Sequence, residues 1–201
     1  MNKKYRSNFP IQTLKAEKIH YEVQSRNNLR DFRDTEIKWF EGIARKAFDR
    51  KKKVYLVTLM YRQIPGALKF KLERMLGEAK WIEARLLHEV VRCPTSEIGK
   101  KKRPVIFGSP DCGKISGAPE LNCYISVNDG WHFHLVIIIP RKSRLKTGLK
   151  KHFVLKEKAY LKPDKYLLRI HVKRVRTKPK RVARYAFKQG SRQDLRDYYL
   201  Y

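Results

Sequence analysis

The stretch LNCYISVNDGWHFHLVIII, residues 121–139, decides the fold. Two runs rich in β-branched and aromatic residues, 121–127 and 131–139, flank Asn128-Asp129-Gly130. Asp-Gly between such runs favours a tight reversal, because glycine accepts the positive φ that the turn needs. The spacing predicts a β-hairpin and therefore an antiparallel sheet. The second run opens with Trp-His-Phe-His before turning wholly aliphatic. On a strand, residues i and i+2 share a face about 7 Å apart, so His132 and His134 can converge on one divalent ion while Phe133 points into the core. The tight turn puts the two imidazoles at the strand's mouth, where side chains reach solvent.

Working outward, KVYLVTLMY (53–61) reads as a buried strand, followed by a turn at QIPG. From Leu68 to Val90, apolar residues keep a 3.6-residue period with charges between them, which predicts an amphipathic helix. Residues from about 93 to 120 are rich in Gly, Pro and Ser around GKKKRP and a short apolar VIF, and read as a loop insertion carrying a hairpin strand. SRLKTGLKKHF (143–153) predicts a second amphipathic helix, KYLLRIHVKRV (165–175) a half-exposed strand, and TKPKRVARYAFKQG (177–190) a short helix with Pro near its start and Gly past its end. Ile37, Phe40, Ile43, Ala44, Ala47 and Phe48 recur at helical spacing within a basic N-terminal region.

The order strand, helix, strand, strand, helix, strand, helix implies an α+β fold: an antiparallel central sheet with helices on one face, βαββαβα, of the ferredoxin-like or RRM-like kind. Two regions are expected, a basic helical extension over 1–50 and a domain over 51–201 that carries the insertion. Trp39 and Trp81 fall on predicted helices and read as core. His20, His88, His152 and His171 lack partners at ligand spacing and read as surface or packing residues.

Among 201 residues, 48 Lys+Arg stand against 19 Asp+Glu, a formal net charge of +29. Dispersed cations on this scale favour a polyanionic partner, and nucleic acid rewards them through counterion release. An anionic membrane is the rival, but no segment approaches a membrane span and the N-terminus lacks a signal-like apolar core, so a cytoplasmic location with no membrane partner is expected. Three cysteines at irregular spacing, without Cys-x-x-Cys, argue for reduced thiols.

A second chemical element lies in RYAFKQ. On a helix Tyr185, Lys188 and Gln189 stand at i, i+3 and i+4 and project from one side, with Arg181 a turn earlier. A phenol is a poor nucleophile at neutral pH, with a pKa of about 10. A neighbouring ammonium and a metal-polarised phosphate both help it.

A buried strand with threonine (YLVTL), then a His-hydrophobic-His strand (HFH), then a helix bearing Tyr-x-x-Lys (YAFK), in this order over roughly 54–190, resembles the single-tyrosine branch of the HUH endonuclease superfamily. That group includes rolling-circle replication initiators, conjugative relaxases and REP-associated transposases. The resemblance implies that His132 and His134 hold a divalent metal, Mg2+ or Mn2+, with a third polar ligand. Related transposases take a Gln one turn after the tyrosine, where Gln189 stands; replication initiators use a residue before the histidines, where Glu120 or Asp129 stands. The resemblance favours Gln189. It implies Tyr185 as the nucleophile that nicks single-stranded DNA and keeps the 5′-phosphate, which permits strand transfer, and Lys188 as the residue that orients or neutralises the phosphate.

Single-stranded or hairpin DNA is then the expected partner, with duplex opening left to a host helicase, supercoiling or an already single-stranded target. Lys173, Arg174, Arg176, Lys178, Lys180, Arg181 and Arg184 form a basic run leading to Tyr185, suited to a single-strand groove. Lys100, Lys101, Lys102 and Arg103 offer a second grip from the insertion. Two rival readings are a non-catalytic basic nucleic-acid-binding protein, whose binding is indifferent to metal and to Tyr185, and a decayed family member that binds metal without forming an adduct. The sequence leaves oligomeric state open.

Overall fold

Lys53–Tyr61 forms the first strand, β1, and its burial explains its composition. Tyr55, Val57, Leu59 and Tyr61 are buried on one face, while Leu56, Thr58 and Met60 are half-buried on the other. A computed structural model describes residues 34–112, 130–188 and 200. In chain order its elements are a helix over 34–49 (α1), β1, α2 (Leu68–Val90), α3 (Glu97–Lys100), β2 (Val105–Cys112), β3 (Trp131–Ile139), α4 (Leu149–Leu155), α5 (Glu157–Tyr160), β4 (Leu167–Arg174) and α6 (Pro179–Ala186). The four strands form one antiparallel sheet in the order β2-β3-β1-β4. With α2 and α4 as the connecting helices, this is the ferredoxin-like βαββαβ arrangement, extended by α6.

The sheet separates two apolar clusters. On one face Val57, Leu59, Phe133, Leu135 and Ile137 meet Met75, Ala79, Ile82 and Leu86 of α2 and Leu149 and Phe153 of α4. Each fully buried aliphatic chain of this kind contributes about 1.5–3 kcal/mol. On the other face Val54, Phe107, Val136 and Ile138 meet Phe40, Ala44 and Ala47 of α1 and Ala183 and Ala186 of α6. The expected single helical layer therefore has a second layer opposite it. Residues from 37 onward pack into the core, and Ile37–Tyr201 is one compact unit. The helical part of the region expected to stand apart over 1–50 belongs with the sheet, because its apolar stripe covers that second face.

β3 is buried on both faces from Phe133 to Ile139, which is why its sequence is a continuous aliphatic run with no alternation. Its neighbours are β1 and β2. Residues 121–127, the expected hairpin partner, lie outside the described residues. The insertion supplies instead a full eight-residue edge strand, β2, of which VIF is only the beginning. Pro110 is tolerated there because an edge strand can forgo a ladder donor. Gly108 is required: a Cβ at this position would stand 1.9 Å from the His134 backbone oxygen. Leu200, buried at 3% exposure, forms an isolated antiparallel bridge to Gly108 on the outer edge of β2.

Other differences are local. α4 begins at Leu149, after Gly148, rather than at 143. α6 begins with Pro179 at its first turn, preceded by Lys178 at φ 51°. Trp39 is 60% exposed, so it is not a core residue, while Trp81 is half-buried against Tyr160 at 6.3 Å between ring centroids. Among the described residues no helix is long and apolar enough to cross a membrane.

Candidate metal centre

The strand register builds the site. His132 pairs with Asp111 of β2 and with Met60 of β1; His134 pairs with Ser109 and Thr58. Directly paired residues point to one face, so both imidazoles and the Asp111 carboxylate emerge together beneath α6. Farther along this face Phe107, Val136 and Ile138 close the core. One ribbon thus carries apolar residues at one end and polar ligands at the other.

Asp111 is 1% exposed, and its Oδ2 lies 2.8 Å from His132 Nε2, 3.1 Å from His134 Nε2 and 2.6 Å from Lys188 Nζ. Neither carboxylate oxygen has a partner with the angles of a hydrogen bond. The far nitrogens of the imidazoles are occupied. His132 Nδ1 lies 2.9 Å from the Gly130 carbonyl oxygen and must donate to it; His134 Nδ1 lies 3.1 Å from Thr58 Oγ1. With Nδ1 protonated, Nε2 presents a lone pair, and the two Nε2 atoms stand 3.0 Å apart, facing one another and the carboxylate. Three acceptors converging out of water favour a cation among them, and Lys188 Nζ meets this only at Oδ2. Asp111, His132 and His134 could hold a metal ion, their ligand atoms all lying within 4.8 Å of one another. Two neutral imidazoles and a carboxylate suit a borderline or hard divalent metal.

Where Nε2 carries a proton instead, it donates toward Asp111, and the electrostatics describe that arrangement. Burial would raise the Asp111 pKa, but contacts with His132, His134 and Lys188 outweigh it and hold the carboxyl far below the usual range. Burial pushes His134 down, favouring the neutral ligand form over the effect of Asp111. Burial also opposes the Lys188 charge, yet the Asp111 carboxylate and the Tyr185 phenol raise its pKa and keep it cationic.

Tyr185 and Lys188 arrive from the other side. Tyr185, on the last turn of α6, is 42% exposed, and its ring lies 4.7 Å from the His134 ring. α6 ends at Ala186, so Lys188 sits in the closing turn beyond the helix, where its amide donates to the Tyr185 carbonyl at 3.2 Å. Its Nζ lies 4.9 Å from the Tyr185 ring centroid. Two anchors fix α6. Ser109 Oγ donates to the Ala186 carbonyl at 2.7 Å, and Arg184 Nε donates to the buried Glu41 carboxylate of α1 at 2.7 Å. Phe40 stacks on Phe107 at 4.7 Å and on Phe187 at 4.6 Å, joining α1, β2 and the end of α6.

Four of the expected site residues, His132, His134, Tyr185 and Lys188, are brought together. Gln189, Glu120 and Asp129 lie outside the described residues. Asp111 fills the carboxylate position that sequence reading missed, because FGSPDCG has the composition of a loop. Its signal was the spacing of Phe107, Ser109 and Asp111 at i, i+2 and i+4. Of the basic run, Lys173 is exposed on the site's face of β4, in line with Arg169 and His171, whereas Arg174 points to the opposite face. Arg176, Lys178, Lys180 and Arg181 are exposed, and Arg184 is engaged with Glu41. Lys101, Lys102 and Arg103 precede β2 and lie at the end of the sheet far from Asp111. Compared with family models, curated proteins and solved structures, the chain has no match.

Proposed function

We propose that this protein is a divalent-metal-dependent nuclease of the single-tyrosine HUH type, which nicks single-stranded DNA and rejoins it by strand transfer. The observation that carries the reading is the meeting of Tyr185 and Lys188 with the Asp111, His132 and His134 cluster. A phenol, an ammonium and a carboxylate-imidazole cluster that could hold a metal lie on one sheet face of a chain with a net charge of +29.

A bound Mg2+ or Mn2+ would draw charge from the non-bridging phosphate oxygens and make phosphorus electrophilic. The Gly130 carbonyl holds His132 in the ligand tautomer, and the Thr58 hydroxyl accommodates the same tautomer at His134 by accepting from Nδ1. Lys188, kept cationic by Asp111, stabilises the Tyr185 phenolate as its proton passes to solvent. Tyr185 Oη then bonds to phosphorus, the bond from phosphorus to the 3′-oxygen breaks, and that oxygen takes a proton from solvent. The product is a 5′-phosphotyrosine and a free 3′-hydroxyl, and attack by another 3′-hydroxyl reverses the step. Arg169, His171 and Lys173 are exposed on β4 beside the site and supply a basic track for the strand.

The test is incubation with labelled single-stranded and hairpin oligonucleotides in Mn2+ or EDTA, followed by denaturing electrophoresis. A covalent adduct should form with Mn2+ and disappear in EDTA and in Tyr185→Phe. An adduct that survives Tyr185→Phe would remove the tyrosine from its role. Strong binding by every variant with no adduct would favour a binding protein.

A further inference from the structure

At the end of the sheet remote from His132, the segment after α2, the short α3 and the segment after β3 enclose a groove of about 480 Å³. Arg92, Lys102, Lys142 and Arg144 line it, and no carboxylate pairs with any of them among the described residues. The nearby Glu97 is taken by Lys100 at 2.6 Å. The walls are tied together. Gly99 N donates to Ser96 Oγ at 3.0 Å, Arg103 Nε donates to the Pro94 carbonyl at 3.0 Å, and Arg144 N donates to the Val90 carbonyl at 3.0 Å. A Cβ on Gly99 would stand 1.8 Å from the Cys93 carbonyl oxygen, so this loop packs closely on itself.

Four exposed cations around one concavity, of which Arg144 also donates to the His88 carbonyl at 3.4 Å, give it a positive potential that draws an anion in. The groove exceeds what one phosphate fills, and Ile98, 68% exposed, adds an apolar surface suited to a sugar or base. Cations spread along an open groove with an apolar contact fit a polymer of phosphates better than a small anion. From His132 to Ile139 is seven strand steps, about 23 Å along β3, so the groove lies at the opposite end of that strand from the cluster.

We propose that this groove is a second nucleic-acid contact, which grips the phosphate backbone of the DNA several nucleotides away from the phosphodiester presented to Tyr185. The proposal rests on the nuclease reading, since it takes DNA as the ligand. A single strand of thirty nucleotides is long enough to reach both places.

The experiment measures binding of a 30-nucleotide single strand by the full-length Tyr185→Phe protein in EDTA, across a salt series. The comparison is with the same protein carrying Lys102→Gln/Lys142→Gln or, as a charge-matched control away from both the groove and β4, Lys158→Gln/Lys162→Gln. The groove variant should lower the slope of log K against log salt by about 1.4, about 0.7 per phosphate contact. The control should match the parent. An unchanged slope in the groove variant would overturn the groove while leaving the nuclease reading standing. An equal loss in the control would show a diffuse charge effect and also overturn it. Failure of the parent protein to bind the strand would overturn both readings.

Discussion

Replacing Asp111 with Asn tests the proposed metal-binding role of this residue apart from its role in the fold. The substitution keeps the side chain's shape and removes its charge at a position 1% exposed. The fold loses an ion pair to Lys188, but that lysine's side chain is 36% exposed and can turn to water. The fold also sheds the cost of a buried carboxylate, which is several kcal/mol before compensation. The Asn amide can moreover donate to an imidazole Nε2. Because the contacts of Asp111 outweigh its burial, the charged side chain is net stabilising, and unfolding free energy should fall by about 1–3 kcal/mol without loss of the fold.

Metal binding has no such compensation. The substitution removes the sole anion of the described ligand cluster, and loss even of groups that merely support a ligand costs about 10–100-fold in affinity. Mn2+ affinity should therefore fall at least ~100-fold, or about 2.8 kcal/mol. Calorimetric Mn2+ titration beside urea denaturation reads both quantities on one preparation. A folded Asp111→Asn protein that binds Mn2+ within tenfold of the parent would refute Asp111 as a ligand.

Three further outcomes are expected. Gly108→Ala should cost about 1–3 kcal/mol or more and weaken Mn2+ binding too, because β2 must move off the His134 carbonyl and takes Asp111 with it; parental stability and affinity would contradict the close approach. Glu41→Ala should cost no more than about 1 kcal/mol, since Arg184 is 71% exposed and turns to water, whereas Arg184→Ala strands the buried Glu41 carboxylate and should cost about 1–3 kcal/mol; each should slow adduct formation. The double variant should be no worse than Arg184→Ala alone, and additive losses would mean that the pair does not act as a unit. Burial holds His134 and His152 below their ordinary value of 6.5, so the unfolded chain binds more protons than the native one below that pH. Stability should thus be full above pH 6.5 and fall as pH drops toward 5.5, by up to about 1.4 kcal/mol per pH unit for each histidine. Urea midpoints in EDTA that stay flat from pH 7.5 to 5.5 would contradict this.

How much was legible depended on whether local composition and tertiary environment agreed. β1, α2 and β3 were readable to the residue, because β-branched runs and a 3.6-residue period report burial directly. β2 was not, since Gly108 and Pro110 carry the look of a loop; Gly108 is there for a backbone contact with a residue 26 positions later, which no local window contains. Helical spacing marked Phe40, Ala44 and Ala47 as one stripe but could not say that the stripe covers the sheet. Nor could it foresee that Trp39, one residue from Phe40, faces outward. The His-x-His pair and Tyr-x-x-Lys were visible as short local patterns. Their carboxylate partner became visible only once β2 was paired with β3.

The stack of Phe40 on Phe107 and Phe187 bears on where this polypeptide can be cut. The basic run RKKK near residue 50 looks like a natural boundary. A fragment beginning there would expose Phe107, Val136 and Ile138 to water, each now no more than 1% exposed, and would deprive Arg184 of its buried partner. Such a fragment would retain every ligand and the tyrosine, yet present an oily sheet face to its neighbours at the concentrations used for expression. The shortest piece that keeps this face covered starts ahead of Ile37, and a truncated protein that precipitates or lacks activity would report the loss of that cover before it reported anything about chemistry.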